Sequence, residues 1–310
     1  MPKIGSSFWS GLWRLADPKI SITSIAAMLV GASVAWREDS LSWYWLLLTG
    51  LAFFAMEVAK NAWGDIYDFD SGTDLAVKPA DRTDFSGGKR VLVDELLTRQ
   101  QTWGIAFAFG LLGVLLGVLI VVFKAPAAIW IGLVGLVLGW SYHGPPLQMA
   151  YRGLGELDVV LCYGPLLCLA TYVIQTNSYS IEVLLMSLPL GVLIAAFLWV
   201  NEFPDFDADA ANGKHNLVVH LGKTRASRLL PLFYLAVAIL CLVMPWITAV
   251  GFETYLSLVF VIPGLLASYW VWQQPLDFYR HKPAQPMALL SFVLYSLGIA
   301  VAALLQGPVI

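Results

Sequence analysis

Charge is what this sequence has least of. Asp, Glu, Lys and Arg fill 13% of its 310 positions, about half the share carried by a soluble domain. With 59% hydrophobic residues beside that deficit, one or two soluble domains of this length are excluded. Lys and Arg form no basic stripe, so no nucleic-acid partner is expected. Cysteine is scarce as well. Cys162, Cys168 and Cys241 lie in apolar runs, without metal-ligand spacing and too few for a disulfide framework; they read as small buried hydrophobes. A secretory cleavage site is missing from residues 1–19. Phe8, Trp9, Leu12, Trp13 and Leu15 there suit a short helix lying at a membrane interface.

What the sequence has in quantity is long apolar runs. A spanning helix needs roughly 20 mostly apolar residues, and nine stretches qualify: 20–36, 42–62, 102–123, 127–142, 155–174, 181–201, 228–249, 254–272 and 287–306. The expected fold is an all-α membrane bundle in one domain spanning 1–310. Its weak internal repeat reads as two four-helix units (about 20–174 and 181–272, overlapping at helix five) plus a ninth helix. Among the Lys and Arg residues, only Arg37 and Lys124 fall in loops after odd-numbered helices. By the positive-inside rule the N-terminus and the even loops are cytoplasmic, and 307–310 lies outside the cell membrane.

Two even loops, 64–101 and 202–225, are long and polar, and each opens on an acidic cluster. The first reads Asn61-Ala-Trp-Gly-Asp65-Ile-Tyr-Asp68-Phe-Asp70-Ser-Gly-Thr-Asp74, the second Asn201-Glu202-Phe-Pro-Asp205-Phe-Asp207-Ala-Asp209. On a continuing helix Asn61, Asp65 and Asp68 share one face, as do Asp205 and Asp209. Acids at a membrane boundary are costly and by default functional. Carboxylates without His or Cys suit a hard cation such as Mg²⁺, or Mn²⁺, which completes its shell with water and substrate phosphates. Two such sets facing one cavity predict a diphosphate bridged by the metal. Solvated acidic loops would not place matched clusters at matched helix ends. An EF-hand is excluded because its glycine and closing glutamate are missing from the required offsets.

Basic residues follow each cluster: Lys78, Arg82, Lys89 and Arg90, then Lys214, His215, Lys223 and Arg225. Arg82, Lys89 and Lys214 are expected to offset the charge of a bound diphosphate. A third polar stretch runs Tyr142-His143-Gly-Pro-Pro-Leu-Gln-Met-Ala-Tyr151-Arg152-Gly-Leu-Gly-Glu156-Leu-Asp158. Its Gly and Pro residues set Arg152 at the cytoplasmic face. Asp158, one turn into helix five, is expected to face the cavity or pair with Arg152. Other classes fit less well. An ion-coupled transporter would place its acids near the midplane on broken helices, and a CDP-alcohol phosphotransferase would carry one dense Asp-Gly-x-x-Ala-Arg motif, which is missing.

These motifs resemble the UbiA superfamily of intramembrane prenyltransferases over nearly the whole chain. The segment from Asn201 to Gly222 looks like that family's second motif, and Tyr151-Arg-Gly-Leu-Gly-Glu156 like its middle signature. Asp68-Phe-Asp-Ser-Gly-Thr-Asp74, followed by Asp81-Arg82-Thr83, resembles the branch acting on 1,4-dihydroxy-2-naphthoate in menaquinone biosynthesis. The resemblance implies nine helices around a central cavity capped by two cytoplasmic loops. It also implies transfer of an isoprenoid from its diphosphate to an aromatic acceptor, with carboxylate loss if the acceptor is dihydroxynaphthoate. Other acceptors known in the superfamily are 4-hydroxybenzoate, homogentisate, a tetrapyrrole and a glyceryl phosphate. By position, Asp68, Asp74, Asp205 and Asp209 match the metal and diphosphate aspartates, and Asp65 and Asn61 match positions beside them. Asp68, Asp205 and Arg152 are the expected catalytic residues; Asn61, Arg82, Lys89, Asn201, Lys214, Tyr142 and Asp158 the expected substrate contacts. Trp63, Tyr67, Trp140, Tyr142 and Tyr163 are placed to line a dry pocket around an allylic cation. Two departures stand out: Gly64 where many members carry Asn, and Lys214-His215-Asn216 where Lys-Arg-Thr is usual.

Overall fold

The computed structural model describes residues 4–249 and 251–306; the 307–310 tail falls outside them. Every regular element among these residues is helical. After α1 (Ile4–Ala16), the chain breaks at Asp17 and restarts at α2 (Pro18–Arg37), with proline at a first-turn position that needs no N–H donor. Then come α3 (Trp43–Ser71) and the short α4 (Thr73–Ala76). A capping box between Thr98 and Gln101 opens α5 (Arg99–Phe123). α6 (Ala128–Ser141) precedes a composite rod: α7 (Gly155–Leu161), a π-helical turn (Cys162–Leu166) containing Pro165, and α8 (Leu167–Thr176). The chain continues with α9 (Ile181–Ala211), α10 (Leu217–Leu221), α11 (Lys223–Ile247), α12 (Leu256–Val259), α13 (Ile262–Gln273) and α14 (Ala284–Leu305).

Seven of the described segments are long and apolar enough to cross a membrane. The other two expected spans fall on α3, whose apolar stretch contains Glu57 and Lys60, and on α6, which has 14 residues. The expected ends of helices two and six were too early. α3 continues to Ser71 and α9 to Ala211, so the acidic motifs belong to helices rather than to loops.

α9 is the central helix. Burial inside the bundle covers 72% of its apolar window, against 22% for α5. α2, α9 and α14 pack on one another, with α8, α11 and α13 around them, while α3 pairs with α5. Small residues make the close seams: Ala26, Ala27 and Ala35 on α2, and Ala288, Ala302 and Ala303 on α14, are all buried. Helices in lipid associate through such close packing and through hydrogen bonds, because lipid is as apolar as leucine. Tyr295 supplies one of those bonds, donating to the Met186 carbonyl at 3.0 Å. Leu111, Leu115, Val118 and Val122 form an exposed stripe along α5 and face outward.

The long stretch after α4 is docked, not free. Val91 and Leu97 bury themselves against Leu15, Trp63 and Ile66. α1 lies beside them with Phe8 and Leu12 turned inward and Trp9 and Trp13 exposed, as an interfacial helix should be.

Candidate active site

Because α3 and α9 run on past the apolar bundle, their carboxylates project from two rigid helices at one end of the molecule. Asp68 is buried and accepts from the Tyr151 hydroxyl at 2.6 Å and from Lys214 Nζ at 3.0 Å. Asp205 accepts the Gly87 N–H at 2.9 Å, and Asp209 accepts Asn216 Nδ2 at 2.9 Å. Asn216 serves twice, since its Oδ1 also caps α10 through the Val219 N–H. Asp74 is buried in α4, its carboxylate packed against Gly88. Gly88 has φ +72° and no room for a Cβ, so glycine is what allows the loop and the acid to meet.

Lys214 stands among these acids. Burial alone would lower its pKa, but the carboxylates of Asp68, Asp209 and Asp74 hold it well above the usual lysine range. Asp74 moves the opposite way for a carboxylic acid: burial, then the neighbouring Asp68 charge, push it well up. One ammonium is thus set against the buried carboxyl groups of Asp68, Asp74 and Asp209 and the half-buried one of Asp205. Asp74 Oδ2, Asp205 Oδ1, Asp209 Oδ1 and Asn201 Oδ1 are buried without any hydrogen-bond partner. Four orphaned oxygens, all hard donors, fit a divalent cation of the magnesium type. Among the described residues no three His, Cys, Asp or Glu side chains already converge on one point. Lys214 occupies the space between the two sets, and a metal held by one or two carboxylates and substrate phosphates needs no such convergence.

Beneath the acids lies a cavity of about 190 Å³. Asn61, Asp65, Asp68, Asp74, Lys60, Lys89, His143 and Asn201 are among its polar lining residues, and Ile20, Val159, Ile194, Phe197 and Leu198 among its apolar ones. A Cβ on Gly64 would lie 2.7 Å from His143 Cε1, so the imidazole fills the space that an asparagine at this position would use. His143 Nε2 lies 3.7 Å from Asp68 Oδ2. Burial lowers its pKa, against the opposing pull of Asp68.

A family model for the UbiA prenyltransferase family matches residues 24–303. The chain belongs to the UbiA prenyltransferase family. It is therefore a membrane-embedded prenyltransferase, with several helices crossing the bilayer. A 2-carboxy-1,4-naphthoquinone phytyltransferase from Synechocystis is 31% identical over 252 residues, covering 76% of each chain. A 1,4-dihydroxy-2-naphthoate octaprenyltransferase from Bacillus subtilis is 28% identical over 219 residues, covering 71% of this chain and 68% of that one. A solved UbiA homologue from Archaeoglobus fulgidus, bound to GPP and Mg²⁺, matches the fold with a TM-score of 0.68 at 17% identity, covering 94% and 99% of the two chains.

Within this UbiA fold the expected site residues divide. Asp68, Asp74, Asp205, Asp209, Asn201 and Lys214 come together. Asp65 lines the cavity, but its two oxygens accept the Val91 and Leu92 N–H groups at 3.3 and 3.2 Å, which fixes the loop rather than leaving a free ligand. Asn61 also lines the cavity and donates to the Leu15 carbonyl at 2.8 Å. Lys89 reaches the cavity wall while ion-paired to Asp17. Arg82 is exposed and bends back to the Val77 carbonyl. Arg152 is exposed and lines no part of the cavity, because the turn beginning at Tyr151 points it outward. The expected Asp158–Arg152 pair does not form; the cation acting on Asp158 is Lys60. Tyr142 and Tyr163 line the cavity, whereas Trp63, Tyr67 and Trp140 stack edgewise on one another outside it. Sequence spacing alone does not assign roles to Tyr151, which anchors Asp68, or to Lys60. Its usable signal for Lys60 was a lysine three residues after Glu57, inside an apolar span.

Proposed function

We propose that this chain transfers an isoprenoid from a prenyl diphosphate to 1,4-dihydroxy-2-naphthoate, with Mg²⁺, on the cytoplasmic side of the cell membrane. The carrying observation is the pair of acid sets on α3–α4 and α9, whose orphaned oxygens and shared lysine lie over a cavity lined in part by apolar side chains. The naphthoate-type acceptors of the two bacterial relatives support the acceptor class, and the archaeal homologue's bound GPP and Mg²⁺ support the donor and metal classes. The bias of Lys and Arg toward the N-terminal segment and the even loops supplies the orientation.

Asp68, Asp74, Asp205 and Asp209 would hold the metal, which supplies charge stabilisation for the diphosphate when bound. Lys214, standing among the same acids, would offset the charge that grows on the diphosphate as the allylic C–O bond breaks. Tyr151 keeps Asp68 oriented; burial and Asp68 raise its phenol pKa, so the hydroxyl stays a donor. The apolar lining excludes water from the allylic cation, which is then captured by the electron-rich ring. A new carbon–carbon bond forms, diphosphate departs with the electron pair of the broken C–O bond, and the acceptor's carboxylate leaves as CO₂.

The test is reconstitution of the purified protein in liposomes with Mg²⁺, a prenyl diphosphate and dihydroxynaphthoate, followed by mass spectrometry. A prenylated, decarboxylated naphthoquinol is expected. Product from 4-hydroxybenzoate but none from dihydroxynaphthoate would overturn the acceptor assignment.

A further inference from the structure

The cavity holds a cation that the diphosphate chemistry does not use. Lys60 lies eight residues before Asp68 on α3, about 12 Å along the helix axis at 1.5 Å per residue, and so deeper in the bundle. Its side chain lines the cavity, with Nζ 5.1 Å from the centre of the Tyr142 ring. Three cationic or basic side chains line this space. Lys89 is held by Asp17 and His143 faces Asp68; Lys60 has no carboxylate within ion-pair distance among the described residues. The two acids whose fields it feels, Glu57 and Asp158, are turned elsewhere. Glu57 accepts from Ser24 Oγ, and Asp158 lies 3.9 Å from Cys162 Sγ.

We infer that Lys60 is a specificity-determining residue, holding the carboxylate of an acidic aromatic acceptor so that its ring lies against the apolar wall of the cavity. The inference rests on the reading of the chain as an aromatic prenyltransferase and deepens it. Three arguments support it. An ammonium at this depth is costly unless an anion joins it. The donor's own anion, the diphosphate, is claimed two helical turns away by the aspartates and Lys214. A lone ammonium beside a forming allylic cation would also oppose the reaction, whereas an ammonium neutralised by an acidic acceptor would not. Lys60 further separates reactant from product. The carboxylate leaves as CO₂, so the ion pair that recruits the acceptor is absent from the prenylated product, which is then free to depart into the lipid.

The experiment measures binding of two probes to the purified full chain in detergent, 1,4-dihydroxy-2-naphthoate and 1,4-dihydroxynaphthalene, which lacks the carboxylate. Wild type is expected to prefer the acid by about 10- to 100-fold, the range for a hydrogen bond to a charged group. Lys60→Met is expected to lose that preference and Lys60→Arg to restore much of it. Binding of geranyl diphosphate with Mg²⁺ should be unchanged in both, which also shows that they are folded. A wild type without the preference, or a Lys60→Met variant that keeps it, overturns the role of Lys60. Turnover of the wild type is scored separately. Absence of any prenylated product would sink the parent reading even if the binding preference were found.

Discussion

Gly64 offers a quantitative test of how the site is packed. In Gly64→Ala the new methyl would lie 2.7 Å from His143 Cε1 and 2.9 Å from Nδ1, well inside contact distance. Two terms then compete. Alanine in place of glycine within a helix gains about 1 kcal/mol. Forcing an extra carbon into a filled site costs about 1–3 kcal/mol. The single variant should therefore lose about 0–2 kcal/mol. In a His143→Ala background the steric term disappears and the propensity gain remains, so the same substitution should stabilise by about 1 kcal/mol. The coupling between the two positions is the steric term itself, about 1–3 kcal/mol. Unfolding of the four proteins in mixed micelles, titrated with SDS, measures it. A coupling below about 0.5 kcal/mol, the scatter of independent sites, would refute the idea that the imidazole fills the space left by the missing side chain.

Further outcomes follow from the same geometry. Asp68→Asn and Asp205→Asn should each lower kcat/KM by at least about 100-fold, as loss of a group stabilising developing charge does, while the proteins still insert; near-normal turnover in either would contradict the placement of the acids. EDTA should abolish prenyl transfer and added Mg²⁺ should restore it. Lys214→Met should leave the four acids uncompensated, so its thermal stability should depend on Mg²⁺ more steeply than that of wild type; equal dependence would count against Lys214 standing in for the cation. Burial raises the Asp81 pKa, but hydrogen bonds from Arg280 and Tyr279 outweigh it and leave the net value low. A lowered folded pKa stabilises above the unfolded value of about 3.9 and is lost as pH falls through the folded value. Proteolysis of 77–98 should therefore be faster in Asp81→Asn than in wild type at pH 7, with the difference shrinking only as pH falls below about 4 and disappearing once the lowered folded pKa is passed.

Much of this was legible in the sequence because lipid leaves few options. Apolar length gave the helices, and the i, i+4, i+7 spacing of Asn61, Asp65 and Asp68 gave their common face. What misled was polarity. Helices two and six were expected to stop where their apolar residues stop, yet both continue into the polar region, since a helix satisfies its own backbone whatever its side chains. The partners of the acids could not be read from spacing. Tyr151 and Gly87 reach Asp68 and Asp205 from segments distant in sequence, and Asn216 reaches Asp209 across the turn that follows α9. Arg152 and Arg82 show the converse: correct residue types near the correct motifs, turned away by local turns.

α9 carries Ile194, Phe197, Leu198 and Asn201 on the cavity's wall, and Asp205 and Asp209 beyond it along the helix. One rod therefore sets how far the reactive headgroup sits from the greasy part of its partner. Inserting a single residue between 194 and 205 would swing everything past it by about 100° and lift it by about 1.5 Å, uncoupling the two ends at once. The segment acts as a ruler of fixed length. Descendants of this chain can acquire new aromatic partners by exchanging side chains along it, but not by lengthening or shortening it.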